Sequence, residues 1–380
     1  MKKEELLQGI QAGKYDEMLV KLYGQEALTA QKQRYSQAVE KFATLYPERE
    51  DMEVFSAPGR TEVCGNHTDH QHGKVLAAAI NLDAVAVVGF HEEGAIRLHS
   101  EGYPAITVEL ADLAINEAEH GTTKALIRGM AAQFADKGVK IGGFDAYVTS
   151  DVLGGSGLSS SAAFEVLIGT ILDIYYNNGA VGAVDIAKMG QFAENKYFGK
   201  NCGLMDQMVS SVGGFVFIDF ADPAKPVIDK HVCDFAAAGI SLCITDTKGS
   251  HADLTADYVS IPVEMKSVAA HFGKEVLHEV AEADFFAEIG ALRGKVSDRA
   301  ILRAAHFFAD DARVPQEVAA LDAKDFQKFF DLVKASGTSS AKWLQNVYSI
   351  QKPEEQGVSM GLMVSEKVLD GKGASRVHGG

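Results

Sequence analysis

The chain has 380 residues, of which 47% are hydrophobic and 23% charged, and this length and composition predict a globular protein with two domains. Its net charge of −16 argues against nucleic acid or an anionic membrane as the main partner. The four cysteines show no C-x-x-C spacing, so they indicate neither a zinc site nor a disulfide framework. Residues 1–17 contain no long apolar run, and we expect no signal peptide, no membrane span and a cytoplasmic location.

Residues 1–47 predict two amphipathic helices, and residues 54–90 predict two strands separated by a polar segment. That segment carries Arg60, Glu62, Asn66, His67, Asp69, His70 and His72. Because so many polar groups are costly to bury without partners, a segment of this kind usually belongs to a binding site. The three histidines beside Asp69 also suggest a metal site, but their spacing is not diagnostic and we do not favour it.

Residues 144–150 alternate like a strand, residues 151–163 read DVLGGSGLSSSAA, and the apolar text that follows predicts a buried helix. A strand, a glycine-rich turn and a helix N-terminus together form an anion site, because unpaired N–H groups and the positive end of the helix dipole face the turn. The loop matches neither the Walker A nor the G-x-G-x-x-G spacing. Taken alone, it is also compatible with an ordinary turn closed by a serine N-cap.

Up to about residue 231 the sequence mixes strands and helices, and after it the sequence becomes mainly helical. Two prolines in residues 220–231 mark a candidate boundary, and we assign domains to residues 1–222 and 223–380. Arg303 and His306 lie on an amphipathic helix, where a structural role is favoured.

Four segments, in order along the chain, match motifs of one enzyme family. PGRTEVCGNHTDHQHGKVLAAAINLD resembles the N-terminal signature of the galactokinases of the GHMP kinase superfamily, and LGGSGLSSSAA resembles the superfamily phosphate loop. CGLMDQMVSSVGG resembles the segment with the catalytic aspartate, and ITDTKGSHADLTADY resembles a sugar-contacting segment. The resemblance implies an α+β fold of two domains, with mixed sheets and helices and the active site in the cleft between the domains. GASRVHGG, at residues 373–380, resembles only the opening of the third family motif, so we expect a C-terminal domain that is incomplete at its end.

The resemblance also implies ATP-dependent phosphorylation of galactose at the anomeric hydroxyl, with Asp206 as base and Arg60 as its catalytic companion. The implied sugar-binding residues are Asn66, His67, Asp69, Gly203 and Tyr258. The implied ATP-binding residues are Gly154, Gly155, Ser156, Gly157, Leu158, Ser159, Ser160 and Ser161. The implied Mg²⁺ ligands are Glu194 and either Ser160 or Ser161. Partners would be galactose and ATP, without nucleic acid or membrane, and the chain would be a monomer or a weak homodimer.

Four positions depart from the family pattern: Glu62, Cys64, Asn66 and His70 stand where the family has Asn, Ile, Glu and Tyr. The family glutamate helps to hold the sugar hydroxyls, and an asparagine still forms hydrogen bonds but provides no charged acceptor. Two alternatives therefore stay open. One is a GHMP kinase for a different sugar or small alcohol, and the other is a non-catalytic regulator that binds sugar and ATP.

Overall fold

The structure, a computed structural model, describes residues 1–152, 154–155, 157–248 and 255–378. The strands are β1 (Glu53–Cys64), β2 (Lys74–His91), β3 (Ala95–Ser100), β4 (Ile106–Glu109), β5 (Gly143–Ser150), β6 (Phe215–Asp219) and β7 (Val227–His231). The helices are α1 (Lys3–Gln11), α2 (Asp16–Tyr23), α3 (Leu28–Leu45), α4 (Thr123–Asp136), α5 (Ser160–Asn177), α6 (Ala183–Phe192), α7 (Met205–Val212), α8 (Thr255–His271), α9 (Glu282–Ala287), α10 (Ile289–Leu292), α11 (Asp298–Asp322), α12 (Phe326–Ser339) and α13 (Gly357–Leu369). This mixture of helices with parallel and antiparallel strands confirms the predicted α+β class.

The chain separates into two compact units whose segments interleave along the sequence. The first unit comprises Met1–Gly59, Ala79–Gly154 and Ser159–Val212, and the second comprises Arg60–Ala78, Gly155–Leu158 and Gly213–Gly380. The division into domains 1–222 and 223–380 stays a prediction.

The first unit is built on the spatial strand order β4-β3-β5-β2. β5 runs antiparallel to β2 and parallel to β3, with Ala84 opposite Ser150 and Ile96 opposite Phe144. Helices α4, α5 and α6 cover one face of these strands and form an apolar core with it. As predicted, α5 is a buried helix after a strand, because its apolar residues occupy most of its faces.

The N-terminal region forms three helices rather than the two predicted, because the chain turns again at residues 24–27 before α3 begins. The side chain of Phe42 in α3 is fully buried with Val87 of β2. The buried carboxylate of Asp83 accepts hydrogen bonds from Tyr23, Arg34 and Ser56, and the Arg34 Nη1 to Asp83 Oδ1 distance is 2.7 Å. This ionic contact fixes the helices to the sheet of the first unit.

The second unit contains the first residues of β2, the strands β6 and β7, and all of the helices after α7. Residues 220–231 form the turn and second strand of the β6–β7 hairpin, so this proline-containing stretch is folded into a sheet. Helices α8 and α11 share one apolar cluster, and α11 and α12 pack with β1, β2 and β6 in another. Within the described parts of the chain, no helix is both long enough and apolar enough to span a membrane.

β1 is longer than the predicted strand and continues through Pro58 to Cys64. Arg60 and Glu62 therefore lie on a strand and not in the polar segment where the sequence pattern placed them. Polar side chains are accommodated here because specific partners in the second unit bind them.

Candidate active site

The phosphate loop joins β5 to α5 and includes Gly154, Gly155 and Gly157. Gly155 and Gly157 have φ angles of 73° and 75°, in the left-handed region where a Cβ atom would be strained. Ser156, a predicted ATP-binding residue, lies outside the described residues. The glycines let the loop turn tightly ahead of a long helix, which is the geometry required for backbone N–H groups to bind phosphate.

Ser159 is the N-cap residue of α5, but its hydroxyl does not cap that helix. It donates instead to Asp206 Oδ2 at 2.6 Å, so it joins the start of α5 to the first turn of α7. Ser159 adopts a left-handed φ of 60°, which directs the backbone into the helix. The N-terminal turn of α5 therefore has no side-chain cap from Ser159, and its N–H groups face the loop.

Glu194 lies in a π-helical turn after α6 and is 2% exposed. Its Oε1 accepts a hydrogen bond from the Ser161 hydroxyl at 2.9 Å, and its Oε2 accepts one from Gln207 Nε2 at 2.8 Å. Lys200 Nζ lies 3.4 Å from Oε1. Of the two serines left open by the sequence, Ser161 is the one that contacts Glu194.

A hydroxyl and a carboxylate oxygen are hard donors, and Mg²⁺ binds such groups while keeping several waters. Ser161 and Glu194 therefore fit this ion. Among the residues that the structure describes, no group of three or more His, Cys, Asp or Glu side chains is arranged to hold a metal. A site here would consequently rely on waters and phosphate oxygens for its remaining ligands.

Glu165 forms a second layer behind Glu194 and is fully buried in α5. Gln207 Nε2 donates to Glu165 Oε2 at 3.0 Å as well as to Glu194. Burial, followed by the nearby charge of Glu194, raises the pKa of Glu165 well above its ordinary value. One amide thus bridges the two acidic side chains.

Asp206 occupies the first turn of α7, where the helix dipole favours a negative charge. The predicted sugar-binding residue Gly203 is half-buried just before this helix. The Cys202 backbone N–H donates to Asn195 Oδ1 at 2.8 Å, which fixes the chain entering the turn. The first unit therefore brings together Ser159, Ser161, Glu194 and Asp206, all of which were predicted from the sequence.

Arg60, in the second unit, is 6% exposed and is bound to the last residues of the phosphate loop. Its backbone N–H donates to Leu158 O at 3.1 Å, and its Nη1 donates to Gly157 O at 2.6 Å. The guanidinium therefore fixes the loop backbone immediately before α5, which supports its assignment to phosphate chemistry.

The segment after β1 begins with Gly65, whose φ of 91° and close approach to the backbone exclude any side chain. A Cβ atom at Gly65 would lie 2.4 Å from Lys74 O. Asn66 follows, is 0% exposed, and uses its amide to donate to Glu62 Oε1 at 2.7 Å. Its position in the segment matches the prediction, although its side chain is directed into a polar network of the protein.

His67, His70 and Tyr258 form a cluster of rings in the second unit. The His67 ring centroid lies 5.6 Å from that of His70 and 5.0 Å from that of Tyr258, and His70 Nε2 lies 3.0 Å from the Tyr258 hydroxyl. Neither ring nitrogen of the buried His67 has a hydrogen-bond partner among the described residues. Burial lowers the pKa of His67 well below its usual range, so its imidazole is neutral.

Asp69 is half-buried beside this cluster, and its Oδ1 accepts the His70 backbone N–H at 2.9 Å. The second unit therefore brings together four of the five predicted sugar-binding residues, Asn66, His67, Asp69 and Tyr258, and Gly203 belongs to the first unit. A neutral imidazole, a carboxylate and a phenol are groups that bind the hydroxyls of a sugar.

Sequence reasoning overlooked Gln207, Glu165 and Asp310. Gln207 directly follows Asp206. Its amide lies buried between two acidic side chains, but the sequence reveals this only when Glu194 and Glu165 are known to face it. Asp310 and His306 are four residues apart on one face of α11, and this pair of polar groups on an otherwise apolar face was an available signal.

Two family models match the chain. Residues 40–90 match the galactokinase galactose-binding signature, and residues 125–214 match the N-terminal domain of GHMP kinases. The chain is 33% identical over 346 residues to a galactokinase from Streptomyces coelicolor, covering 90% of this chain and 85% of that protein. It is 30% identical over 353 residues to a galactokinase from Actinobacillus pleuropneumoniae, covering 90% and 86%.

Solved structures give the same fold. Lactococcus lactis galactokinase, complexed with galactose, superposes with a TM-score of 0.72 at 23% identity and covers 90% of this chain and 86% of that chain. A mevalonate kinase superposes with a TM-score of 0.52 at 16% identity, covering 80% and 82%. These matches confirm the resemblance seen in the sequence, and the chain belongs to the galactokinase family of GHMP kinases.

Proposed function

We propose that this protein is an enzyme that transfers the γ-phosphoryl group of ATP to the anomeric hydroxyl of galactose, giving galactose 1-phosphate and ADP. The galactokinase signature and the galactokinase relatives support the substrate. The observation that carries the proposal is the 2.6 Å hydrogen bond from Ser159 to Asp206, since it holds a carboxylate at the N-terminus of the helix that follows the phosphate loop.

Asp206 accepts the proton of the anomeric hydroxyl as that oxygen bonds to the γ-phosphorus and the bond to the β,γ-bridging oxygen breaks. Its carboxylate is positioned by Ser159 and by the first turn of α7. No covalent phosphoenzyme is needed, because a direct in-line transfer requires only positioning and stabilisation of charge. Arg60 keeps the loop backbone in place and provides a positive charge for the phosphates.

The described loop glycines and the N–H groups at the start of α5 bind the phosphate chain. Ser161 and Glu194 would hold Mg²⁺, which when bound neutralises charge on the phosphate oxygens. Gln207 orients Glu194 and leaves one of its oxygens directed to Ser161. The three side chains that would form and support this metal site all belong to the first unit.

For the sugar, Asp69, His67 and Tyr258 are the proposed hydroxyl-binding groups, and Gly203 is a further proposed sugar contact. The rings of His67 and His70 stack on each other, and the Tyr258 ring contacts both at a steep angle, which gives ring faces for the sugar. His70 and Asn66 both differ from the family pattern, and a different preferred sugar is the second candidate. His70, which keeps exposed surface, is the residue that supports it.

The test is ADP release with Mg-ATP and a panel of sugars that begins with galactose. We expect galactose to be the best substrate, and Asp206→Asn to lower kcat by about 10²- to 10⁴-fold while galactose still binds. Asp370→Asn is the matched control, because Asp370 is exposed and adopts a left-handed conformation that asparagine also tolerates.

Turnover with another sugar and none with galactose would refute the substrate and favour the second candidate. Ligand binding without ADP release, in the wild type as in Asp206→Asn, would refute the enzymatic function and identify a sugar-binding regulator.

A further inference from the structure

Asn66 is bound by the protein at each of its four hydrogen-bonding groups. Its backbone N–H donates to Asp310 Oδ2 at 3.0 Å, and its backbone carbonyl accepts from His306 Nε2 at 2.9 Å. Its side-chain amide nitrogen donates to Glu62, and its side-chain oxygen accepts from Asn346. A residue that is 0% exposed and engaged in this way is part of the framework of the second unit.

The two contacts to α11 are chemically specific. A backbone carbonyl only accepts, so His306 must carry its proton on Nε2, and its Nδ1 accepts from the Ser339 hydroxyl at 2.8 Å. The same Asp310 oxygen also accepts the Gly65 N–H at 3.0 Å. Two successive N–H groups and one carbonyl of this segment are therefore held by a single helix.

Glu62 is itself held in place. Its Oε1 accepts Arg376 Nη2 at 2.8 Å in addition to the Asn66 amide. The Arg376 side chain is 5% exposed and also donates to Val63 O and Ser336 Oγ, at 2.7 and 2.9 Å. The Glu62 carboxylate is thus anchored by the C-terminal segment, and its position fixes the direction of the Asn66 side chain.

The chain carries Glu62 and Asn66 where the family pattern has an asparagine and a glutamate, so the carboxylate and the amide have changed places. The hydrogen bond between positions 62 and 66 needs one donor and one acceptor, and either order of amide and carboxylate provides them. Two carboxylates would break this hydrogen bond because neither donates, and so would an amide that turned its donor away from the acceptor.

We propose that Asn66 is a positioning residue, locked by Glu62, Asp310 and His306, and that this lock sets the backbone from which the neighbouring His67 faces the sugar. His67 adopts a left-handed φ of 60°, a conformation that is uncommon for residues other than glycine and that the surrounding contacts hold in place. The buried imidazole of His67, whose ring nitrogens have no hydrogen-bond partner in the described parts of the chain, is the group that this lock presents. The catalytic part of this inference rests on the proposed galactose kinase activity.

The test is a cycle of isosteric exchanges: Glu62→Gln, Asn66→Asp and the double variant. Asn66→Asp places two carboxylates 2.7 Å apart, and we expect the KM for galactose to rise about tenfold with the KM for ATP unchanged. Glu62→Gln keeps an acceptor for Asn66 and Arg376, so its effect is smaller, about threefold. In the double variant the amide introduced at position 62 donates to the carboxylate introduced at position 66, and we expect the KM to return to within about threefold of the wild type.

A second readout does not depend on any sugar. Hydrogen–deuterium exchange of the peptide covering residues 62–72, measured on the full chain without ligand, should accelerate in Asn66→Asp and recover in the double variant. Glu53→Gln, on the same strand but exposed, is the matched control and should change neither readout. If Asn66→Asp does not fold, recovery of folding in the double variant demonstrates the same coupling.

Unchanged exchange in both single variants, or no recovery in the double variant, would overturn the proposal. Faster exchange with an unaltered KM for galactose would reduce the network to a purely structural role and would also overturn it. A wild type that does not phosphorylate galactose would refute the proposed function alone, because the exchange experiment still decides whether the segment is locked.

Discussion

Glu317 provides a quantitative test of the electrostatics in the second unit. It lies in α11 with 0% exposure, and burial raises its pKa from 4.5 to about 8, opposed mainly by the charge of Arg376. The unfolded chain ionises this carboxyl near its ordinary value, whereas the folded chain keeps it protonated up to about pH 8. The folded state therefore binds more protons in this window, and stability falls as pH rises through it.

The size of the effect follows from the two pKa values. Between pH 6 and pH 8 the contribution of Glu317 to the free energy of unfolding decreases by about 2 kcal/mol. This follows because a difference of one bound proton between the folded and unfolded states changes stability by about 1.4 kcal/mol per pH unit. Glu317→Gln has nearly the same shape and helix propensity but does not titrate. We expect the variant to become more stable relative to the wild type by this amount as pH is raised from 6 to 8.

Urea unfolding at the two pH values measures the difference, with the fluorescence of Trp343 as the probe. Trp343 is the single tryptophan and belongs to the same unit as Glu317. Glu366→Gln, on the exposed surface of α13, is the control and should show no pH-dependent difference from the wild type. An equal stability difference at pH 6 and pH 8 for Glu317→Gln would refute the reasoning.

Three further predictions concern the first unit. Gln207→Leu removes the amide that orients Glu194, and we expect the Mg²⁺ concentration for half-maximal ADP release to rise about tenfold; an unchanged Mg²⁺ dependence would contradict this role. Ser159→Ala removes the hydrogen bond to Asp206 and should lower kcat about tenfold with the KM for galactose unchanged, as steady-state kinetics would show. Asp83→Asn leaves buried partners without their carboxylate and should cost about 3 kcal/mol in urea unfolding, and a loss near zero would refute its anchoring role.

The local parts of the fold were predictable from sequence. The strand before the phosphate loop and α5 after it were confirmed, because alternation and an apolar helix are signals carried by neighbouring residues. β1 was predicted too short because its neighbouring residues carry no such signal in its second half. Its second half is polar, and Arg60 and Glu62 are buried on a strand only because the fold supplies their partners.

The candidate site likewise contains residues that the sequence predicted and residues that it did not. Motif resemblance predicted Ser161, Glu194 and Asp206, and the structure brings them close to one another in the first unit. The residues that hold the site segments were not predicted, since Asp310 is 244 positions away from Asn66 along the chain. No local periodicity marks a contact across that separation. His306 was assigned a structural role together with Arg303, and Asp310 was not singled out.

Relative to the family pattern, Glu62 and Asn66 move a carboxylate from position 66 to position 62 and do not remove it. At position 62 the carboxylate is buried against Arg376, and its desolvation is strong enough to raise its pKa to about 7 despite that cation. A group so buried and so bound is not available to select a sugar by direct contact, and Asn66 is equally engaged. We therefore expect selection among sugars to depend on Asp69, His70 and Tyr258, which keep exposed surface beside the locked segment. A change of sugar preference in this chain is therefore expected from substitutions at these three positions, whereas substitutions at 62 and 66 should alter affinity for all sugars alike.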